Sequence, residues 1–294
     1  RYTNLMRAIE MRHLAPWVRD VDGWRVLDVG CGYGFYSLDF ARRGASLTGC
    51  DLSLEALEAS QQTVQGLGFD GRAGYMVADG ALLPLPGDVF DLVFCNCVLE
   101  HVVDDRLALV EMHRTLRRDG LLYLTVDSAE HDLVLGFLER LPAGLKRRLL
   151  RPEVGAAPSV AEGLDDYLAG IYDVRRRYRR SELEATLKEL GFEVLTQRAY
   201  ISTLGAVHYE LFRVTRGVDP RHGLSRVAHM VTSLLLYPLV VLADSLERRR
   251  GYGLMFVARK GAAGNGREAA EGYHPEPAEG YHPEPAKVHG RENG

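Results

Sequence analysis

The chain has 294 residues and 32.7 kDa, with 46% hydrophobic and 26% charged residues, which excludes wholesale disorder, a collagen repeat and a disulfide-held miniprotein. With 36 Lys/Arg against 40 Asp/Glu the net charge is -4, too small for a global field that would point to nucleic acid. The four cysteines, Cys31, Cys50, Cys95 and Cys97, form no C-x-x-C pair and all lie in the first third. That argues against a zinc site or disulfide framework and suits a reducing cytoplasm.

In chain order, the sequence opens on Arg1 rather than Met, so residues before it are expected; no charged-then-apolar leader occurs within the stretch given. Residues 1–14 read as a helix. Trp24 to Gly30 is a short buried strand, and Gly34 to Arg43 has helical spacing at Phe35, Leu38 and Ala41. Ala45 to Cys50 is a second strand. Ser53 can cap a helix through Gln65, with Ala56, Leu57, Ser60 and Val64 on one face. Strands follow at Gly74 to Ala78 and Phe90 to Cys95, then a helix at Val103 to Leu116 and a fifth strand at Gly120 to Val126. This alternation predicts a parallel sheet with helices on both faces, and ligands at the strands' C-terminal edge. After an interruption at 128–180, a helix runs from Ser181 to Leu190 and a strand from Phe192 to Thr203. A second interruption, 204–250, precedes a last strand at Gly253 to Arg259.

The sharpest local signal is Asp28-Val-Gly30-Cys31-Gly32-Tyr-Gly34 between the first strand and helix. Glycines there admit positive φ and let backbone N–H groups approach a ligand. Dinucleotide enzymes use G-x-G-x-x-G, but here the sixth position is Phe35 and the third glycine comes one place early. Asp51 ends the second strand, where a carboxylate can accept both hydroxyls of a ribose; capping the next helix is its other reading, a role Ser53 already fits. Asp79-Gly80 ends the third strand, either within reach of an adenine amine or as plain turn chemistry.

With FDLVFCNCVLEHV at 90–102 and LRRDGLLYLT at 116–125, the ensemble resembles the class I S-adenosylmethionine-dependent methyltransferases, close to the ubiquinone/menaquinone-biosynthesis-like small-molecule group. The resemblance covers 1–127 strongly, and 178–203 and 251–260 more loosely. It implies a Rossmann-like seven-stranded α/β sheet of order 3-2-1-4-5-7-6 with the last strand antiparallel, and S-adenosylmethionine as cofactor. Gly30 and Gly32 would line the methionine moiety, with Cys31 and Gly34 in the same cofactor loop and Asp28 supporting it. Asp51 would bind the ribose, Leu52 pack on adenine, and Asp79 and Gly80 face its amine. Asn96 would lie beside the sulfonium. For the first helix two readings stand: simple packing over the sheet, or contact of Tyr2 or Arg7 with the methionine carboxylate.

Methyl transfer is an in-line displacement on an already activated leaving group, so alignment supplies much of the rate and no metal is expected. His101, just past the fourth strand with Glu100 beside it, is the candidate general base. Its other reading is a structural or cofactor-edge role. The two interruptions, about 128–180 and 204–250, are expected to form the acceptor lid.

The first interruption is basic, densest at Arg175-Arg-Arg-Tyr-Arg-Arg180, either a solvated face or an anion-binding patch. In the second, residues 230–243 are nearly all apolar between basic flanks. They are too short to span a bilayer, which needs about 20 residues, and read as a buried lid or dimer helix, an apolar acceptor pocket or a peripheral membrane contact. Residues 261–294 carry EGYHPEPA twice and hold three Lys/Arg against six Asp/Glu; a disordered tail after a single domain, 1–260, is expected. The function expected is methylation of a small-molecule or lipid-like acceptor in the cytoplasm. The rivals are a nicotinamide-dependent oxidoreductase and a non-catalytic cofactor binder. No nucleic acid is expected, because CNCVLEH stands where a nucleic-acid methylase would carry Asn/Asp-Pro-Pro-Tyr/Phe.

Overall fold

The computed structural model describes residues 5–69, 71–130, 176–205, 235–236, 238–246 and 251–261. Its elements run α1 (Leu5–Leu14), β1 (Arg25–Val29), α2 (Ser37–Arg42), β2 (Ser46–Asp51), α3 (Leu54–Gly66), β3 (Ala73–Val77), β4 (Phe90–Asn96), a 3-10 turn (Leu99–His101), α4 (Asp105–Thr115), β5 (Leu116–Asp127), α5 (Arg180–Glu189), β6 (Phe192–Tyr200) and β7 (Gly253–Lys260). A further helical stretch occupies 238–246.

The strands form one sheet of order β3-β2-β1-β4-β5-β7-β6. The pairs β3–β2, β2–β1, β1–β4 and β4–β5 are parallel, and β7 runs antiparallel to both β5 and β6. The expected order and the expected antiparallel last strand are both present. Several elements differ from their predicted bounds: α2 begins at Ser37 rather than Gly34, β6 ends at Tyr200 rather than Thr203, and β5 differs most. β5 begins at Leu116, which pairs with Phe90; the register then jumps to Leu92 with Leu121. Arg117 to Gly120 are extra residues thrown out as a bulge, with Asp119 at φ +61°.

Side chains alternate across the sheet. Leu27, Val29, Val93, Cys95, Leu122 and Leu124 face one way, against Leu109 and Met112 of α4 and Leu183 and Leu187 of α5. Val26, Leu92, Phe94, Tyr123, Met255 and Val257 face the other, against Ile9 of α1 and Phe40 of α2. Phe94 is the centre of that second layer: it stacks on Tyr123 at 5.2 Å and meets Phe40 edge-on at 5.5 Å. Ser53 caps α3 by accepting from Ala56 N at 3.2 Å, and Ala56, Leu57, Ser60 and Val64 are its buried face.

Most of both interruptions, the repeat-bearing tail, Tyr2 and the Arg7 side chain lie outside the described residues. Where the Arg run is described, Arg176, Arg177 and Arg179 are exposed, as a solvated face would be, while Tyr178 turns inward. Tyr178 is buried and bridges Ser128 as a short parallel pair. Arg176 is spent on Asp105 at 2.6 Å. No described helix is long and apolar enough to cross a membrane.

Candidate active site

In an open parallel sheet the crevice opens where the strand order reverses, here between β1 and β4. The glycine loop leaves β1 at that point. Gly30 N and Cys31 N both donate to Cys50 O of β2, at 2.8 and 3.0 Å, and Gly34 N donates to Cys31 O at 2.9 Å. Gly30 has φ +69°, and a Cβ there would lie 2.3 Å from Val98, so only glycine fits. Gly32 has φ +49° and a Cβ would meet nothing within 4 Å: this part of the backbone faces open space, as a ligand cradle requires.

Beneath the loop, Asp28 is buried and accepts a 2.5 Å hydrogen bond from Ser37 Oγ at the start of α2. Burial pushes its carboxyl up to about 7, opposed by Ser37 and assisted by the negative charge of Asp51. Cys31 and Cys50 pack beside it, and burial raises both thiols, Cys50 to about 12. They are small buried packing groups here.

Asp51 ties three parts together. Its Oδ2 accepts from Gly32 N at 2.8 Å and its Oδ1 from Ser53 N at 2.9 Å. A carboxylate has about four acceptor positions, so both oxygens keep capacity for a diol. Next to it Leu52 is half exposed, with exposed Tyr33 and Phe35 on the glycine loop. Asp79 Oδ1 accepts from Ala81 N at 2.9 Å, a local turn bond, and the residue stays exposed at the β3 edge. Gly80 closes on β1, where its Cβ would sit 3.1 Å from Val29.

At the exit of β4, Asn96 Oδ1 accepts from Thr125 Oγ1 of β5 at 2.9 Å. Cys97 follows with φ +53°, its thiol 3.6 Å from Thr125 Oγ1 and 3.5 Å from Tyr200 Oη. His101 is half-buried in the 3-10 turn, close to Asp127 at the end of β5. Glu100 beside it is buried, and burial with the neighbouring Asp127 pushes its carboxyl up to about 8.

All eleven site residues picked from the sequence thus lie at the sheet's C-terminal edge or in the loops leaving it. Sequence reasoning missed a second set. Glu10 of α1 is buried, and Tyr36 and Tyr200 donate to its carboxylate, while Tyr123 donates to its carbonyl. His13 of α1 lies 2.7 Å from Asp244 Oδ2, and Asp244 Oδ1 accepts from Ile201 N at 2.8 Å. Glu10 and Tyr200 are 190 positions apart, so no spacing in the sequence signals that they meet.

Residues 27–124 match a family described as "Methyltransferase domain". The chain is 33% identical over 156 residues to a ubiquinone biosynthesis O-methyltransferase of Rhizobium rhizogenes, covering 50% of this chain and 62% of that one. It is 33% identical over 175 residues to a protein of the same name from Pseudomonas aeruginosa, covering 58% and 66%. The match therefore takes in less than two thirds of each relative's length. Among solved structures, an S-adenosylmethionine-dependent methyltransferase from Mesorhizobium loti superposes with a TM-score of 0.54 at 20% identity, covering 87% of this chain and 100% of that one. The [4+2]-cyclase SpnF gives 0.55 at 20%, covering 86% and 81%. Those two likenesses speak to the fold.

Proposed function

We propose, from the premise that residues 27–124 form a class I S-adenosylmethionine-dependent methyltransferase domain of the ubiquinone-biosynthesis-like group, that the whole chain transfers a methyl group to a small-molecule acceptor. The observation that carries the reading is Asp51, one carboxylate joining the cofactor loop to the start of α3 with acceptor capacity to spare. It fits the ribose of the cofactor, and half-exposed Leu52 fits the adenine face. Gly32 presents backbone to the open cradle for the methionine end, and Gly34, Cys31 and buried Asp28 hold that loop in shape. Asp79, Gly80 and Asn96 complete the rim. When bound, S-adenosylmethionine supplies a methyl group already activated on a sulfonium centre. The chain's own work is to hold, align and dehydrate the reactants.

An oxygen acceptor must also lose a proton at this edge. The candidate to take it is His101, half-buried in the 3-10 turn just past β4.

We further infer a hydrophobic or lipid-like acceptor met by peripheral contact with a membrane. Leu235, Leu239, Leu242 and Leu246 are exposed at helical spacing, while Val240 and Asp244 are buried on the opposite side. Glu247 and then Arg248 to Arg250 follow in the sequence. The unpaired cysteines suit a reducing compartment.

The test is a labelled-methyl assay on an extract split into lipid and aqueous fractions, with mass spectrometry of the product. Label is expected in the lipid fraction. Calorimetry should find binding of S-adenosylhomocysteine and none of NAD; the reverse would favour the oxidoreductase reading. Tight binding with no transfer would favour the non-catalytic reading.

A further inference from the structure

Resting on the methyl-transfer reading, we propose that Asn96 selects the atom to be methylated. Its Nδ2 donates a hydrogen bond to the reacting oxygen, and Thr125 holds the amide in the orientation that presents this donor. The acceptor class is a hydroxyl, as against an amine or a carbon nucleophile.

The placement follows from the sheet. Cys95 of β4 pairs with Val29 of β1, so Asn96 comes level with Gly30, where the glycine loop begins. On its other side Asn96 pairs with Thr125 of β5. Alternation along β4 puts Asn96 on the face of Phe94, toward α1 and α2. It is the last residue of β4 and is half-buried. It therefore stands at the crevice where the strand order reverses, between the cofactor loop and β5.

The orientation follows from counting protons. Cys97 N can only donate, and it reaches Thr125 Oγ1 at 3.0 Å. Burial keeps the Cys97 thiol protonated, 3.6 Å from the same oxygen and 3.5 Å from Tyr200 Oη. Tyr200 Oη in turn donates to Glu10 Oε1 at 3.4 Å. The proton of Thr125 goes to Asn96 Oδ1, at 2.9 Å. A flipped amide would use Nδ2 on Thr125 and leave that hydroxyl proton the thiol sulfur, a weak acceptor. With Oδ1 turned to Thr125, the two Nδ2 protons turn away from β5. Among the described residues they meet no partner.

Elementary chemistry decides which substrate atom suits such a donor. A hydroxyl oxygen carries two lone pairs. One can take the Asn96 N–H while the other attacks the methyl carbon. An amine nitrogen has one lone pair, so a donor placed on it blocks attack, and a carbon nucleophile has none to spare. The same hydrogen bond favours the ionised hydroxyl, the better nucleophile. A polar contact of this kind discriminates more strongly than shape, because a mismatch leaves groups unpaired. In the transfer an oxygen lone pair forms the new O–C bond as the methyl carbon–sulfur bond breaks. That electron pair leaves with sulfur, and the hydroxyl proton goes to His101. Thr125 touches no reactant and acts as a positioning residue.

The experiment gives the full chain S-adenosylmethionine and 2-aminophenol, which offers both atoms on one ring, and measures the ratio of O-methyl to N-methyl product. The wild type should methylate oxygen in excess. Asn96→Ala should lower the ratio about 10- to 100-fold, the effect of losing one hydrogen bond to a charged group. Asn96→Asp, which turns only acceptor oxygens to the substrate, should lower it further. Thr125→Val frees the amide to flip and should move the ratio the same way. Thr125→Ser, which keeps the hydroxyl, should restore it. In Asn96→Ala the S-adenosylhomocysteine affinity and the thermal midpoint should stay near wild type. In the S-adenosylhomocysteine complex the two Nδ2 protons, assigned in 15N spectra by their loss in Asn96→Asp, should shift when catechol is added.

An Asn96→Ala chain with the wild-type product ratio would overturn the proposal, as would a wild type that methylates the amine or a ring carbon. So would amide protons that catechol does not move. A loss in Asn96→Ala confined to S-adenosylhomocysteine affinity would make the amide a cofactor contact only and overturn it as well. Failure of the wild type to bind S-adenosylhomocysteine would instead remove the methyl-transfer reading on which the proposal rests.

Discussion

Asp28 and Asp51 stand about one loop apart and are asked for opposite things. Asp51 uses its charge at an open edge, so Asp51→Ala removes charge-assisted bonds to Gly32 and Ser53 as well as the diol acceptor. Such bonds are worth roughly 1.5–3 kcal/mol, so S-adenosylhomocysteine affinity should fall about 10- to 100-fold by calorimetry. Asp28 has its charge suppressed by burial, and the same holds for Glu100. Both acids bind a proton more tightly folded than unfolded. Their stabilising contribution is therefore present below the unfolded values, near 4, and is lost as pH rises toward about 7 for Asp28 and about 8 for Glu100. The thermal midpoint should accordingly decline between about pH 5 and 8. Asp28→Asn, which keeps an acceptor for Ser37, should flatten the part of that decline below about pH 7. An unchanged slope in this variant would show that Asp28 is ionised throughout.

At the scale of elements, α3 was legible because every local cue agreed: a Ser cap, a buried face at helical spacing and the C-terminal turn. β5 was only partly legible. Arg-Arg-Asp-Gly reads locally as a turn, yet Leu116 is recaptured by Phe90 across the sheet, and only the pairing partner reveals the bulge. The docking of α1 was not legible at all. It depends on Glu10 and His13, which find Tyr200 and Asp244 through contacts about 190 and 231 positions long. Asp244 is the joint between α1, the 238–246 helix and the end of β6. Its carboxylate takes His13 and Ile201 N, and its carbonyl takes Arg198 at 2.9 Å. Breaking a buried, hydrogen-bonded charge site costs about 3–5 kcal/mol. Asp244→Ala should lose stability on that scale in urea unfolding and should loosen α1, seen as faster amide exchange at Ile9 and Leu14. Asp244→Asn should recover part of it by keeping an oxygen for Ile201.

For the molecule as a whole, the sheet order places glycine loop, acidic strand ends and the Glu100–Asp127 pair on one edge. Alternation gave the parallel sheet and its ligand-bearing edge, and the family resemblance implied the strand order; the meeting of Glu100 with Asp127 was not legible, because it is a tertiary contact between two strand ends. What alternation does not specify is the outer surface, where a sequence of apolar residues reads equally as lid, dimer face or membrane contact. The described part of the second interruption narrows this. Its helix is two-sided, with Val240 and Asp244 turned in and Leu235, Leu239, Leu242 and Leu246 turned out. A purely internal lid would bury both sides. An outward leucine stripe followed by three arginines fits a shallow seat in an anionic bilayer, where burial of the apolar side adds to attraction of the basic end. The full chain should sediment with phosphatidylglycerol-containing vesicles. Leu239→Glu with Leu242→Glu should abolish sedimentation while leaving the thermal midpoint nearly unchanged, because both side chains are more than half exposed. Raising salt from low to about 1 M, where screening reaches about 3 Å, should weaken binding without ending it. Binding that vanishes with salt in the wild type would leave only the arginines as the contact. Equal sedimentation of the double variant would return the leucine stripe to a subunit interface.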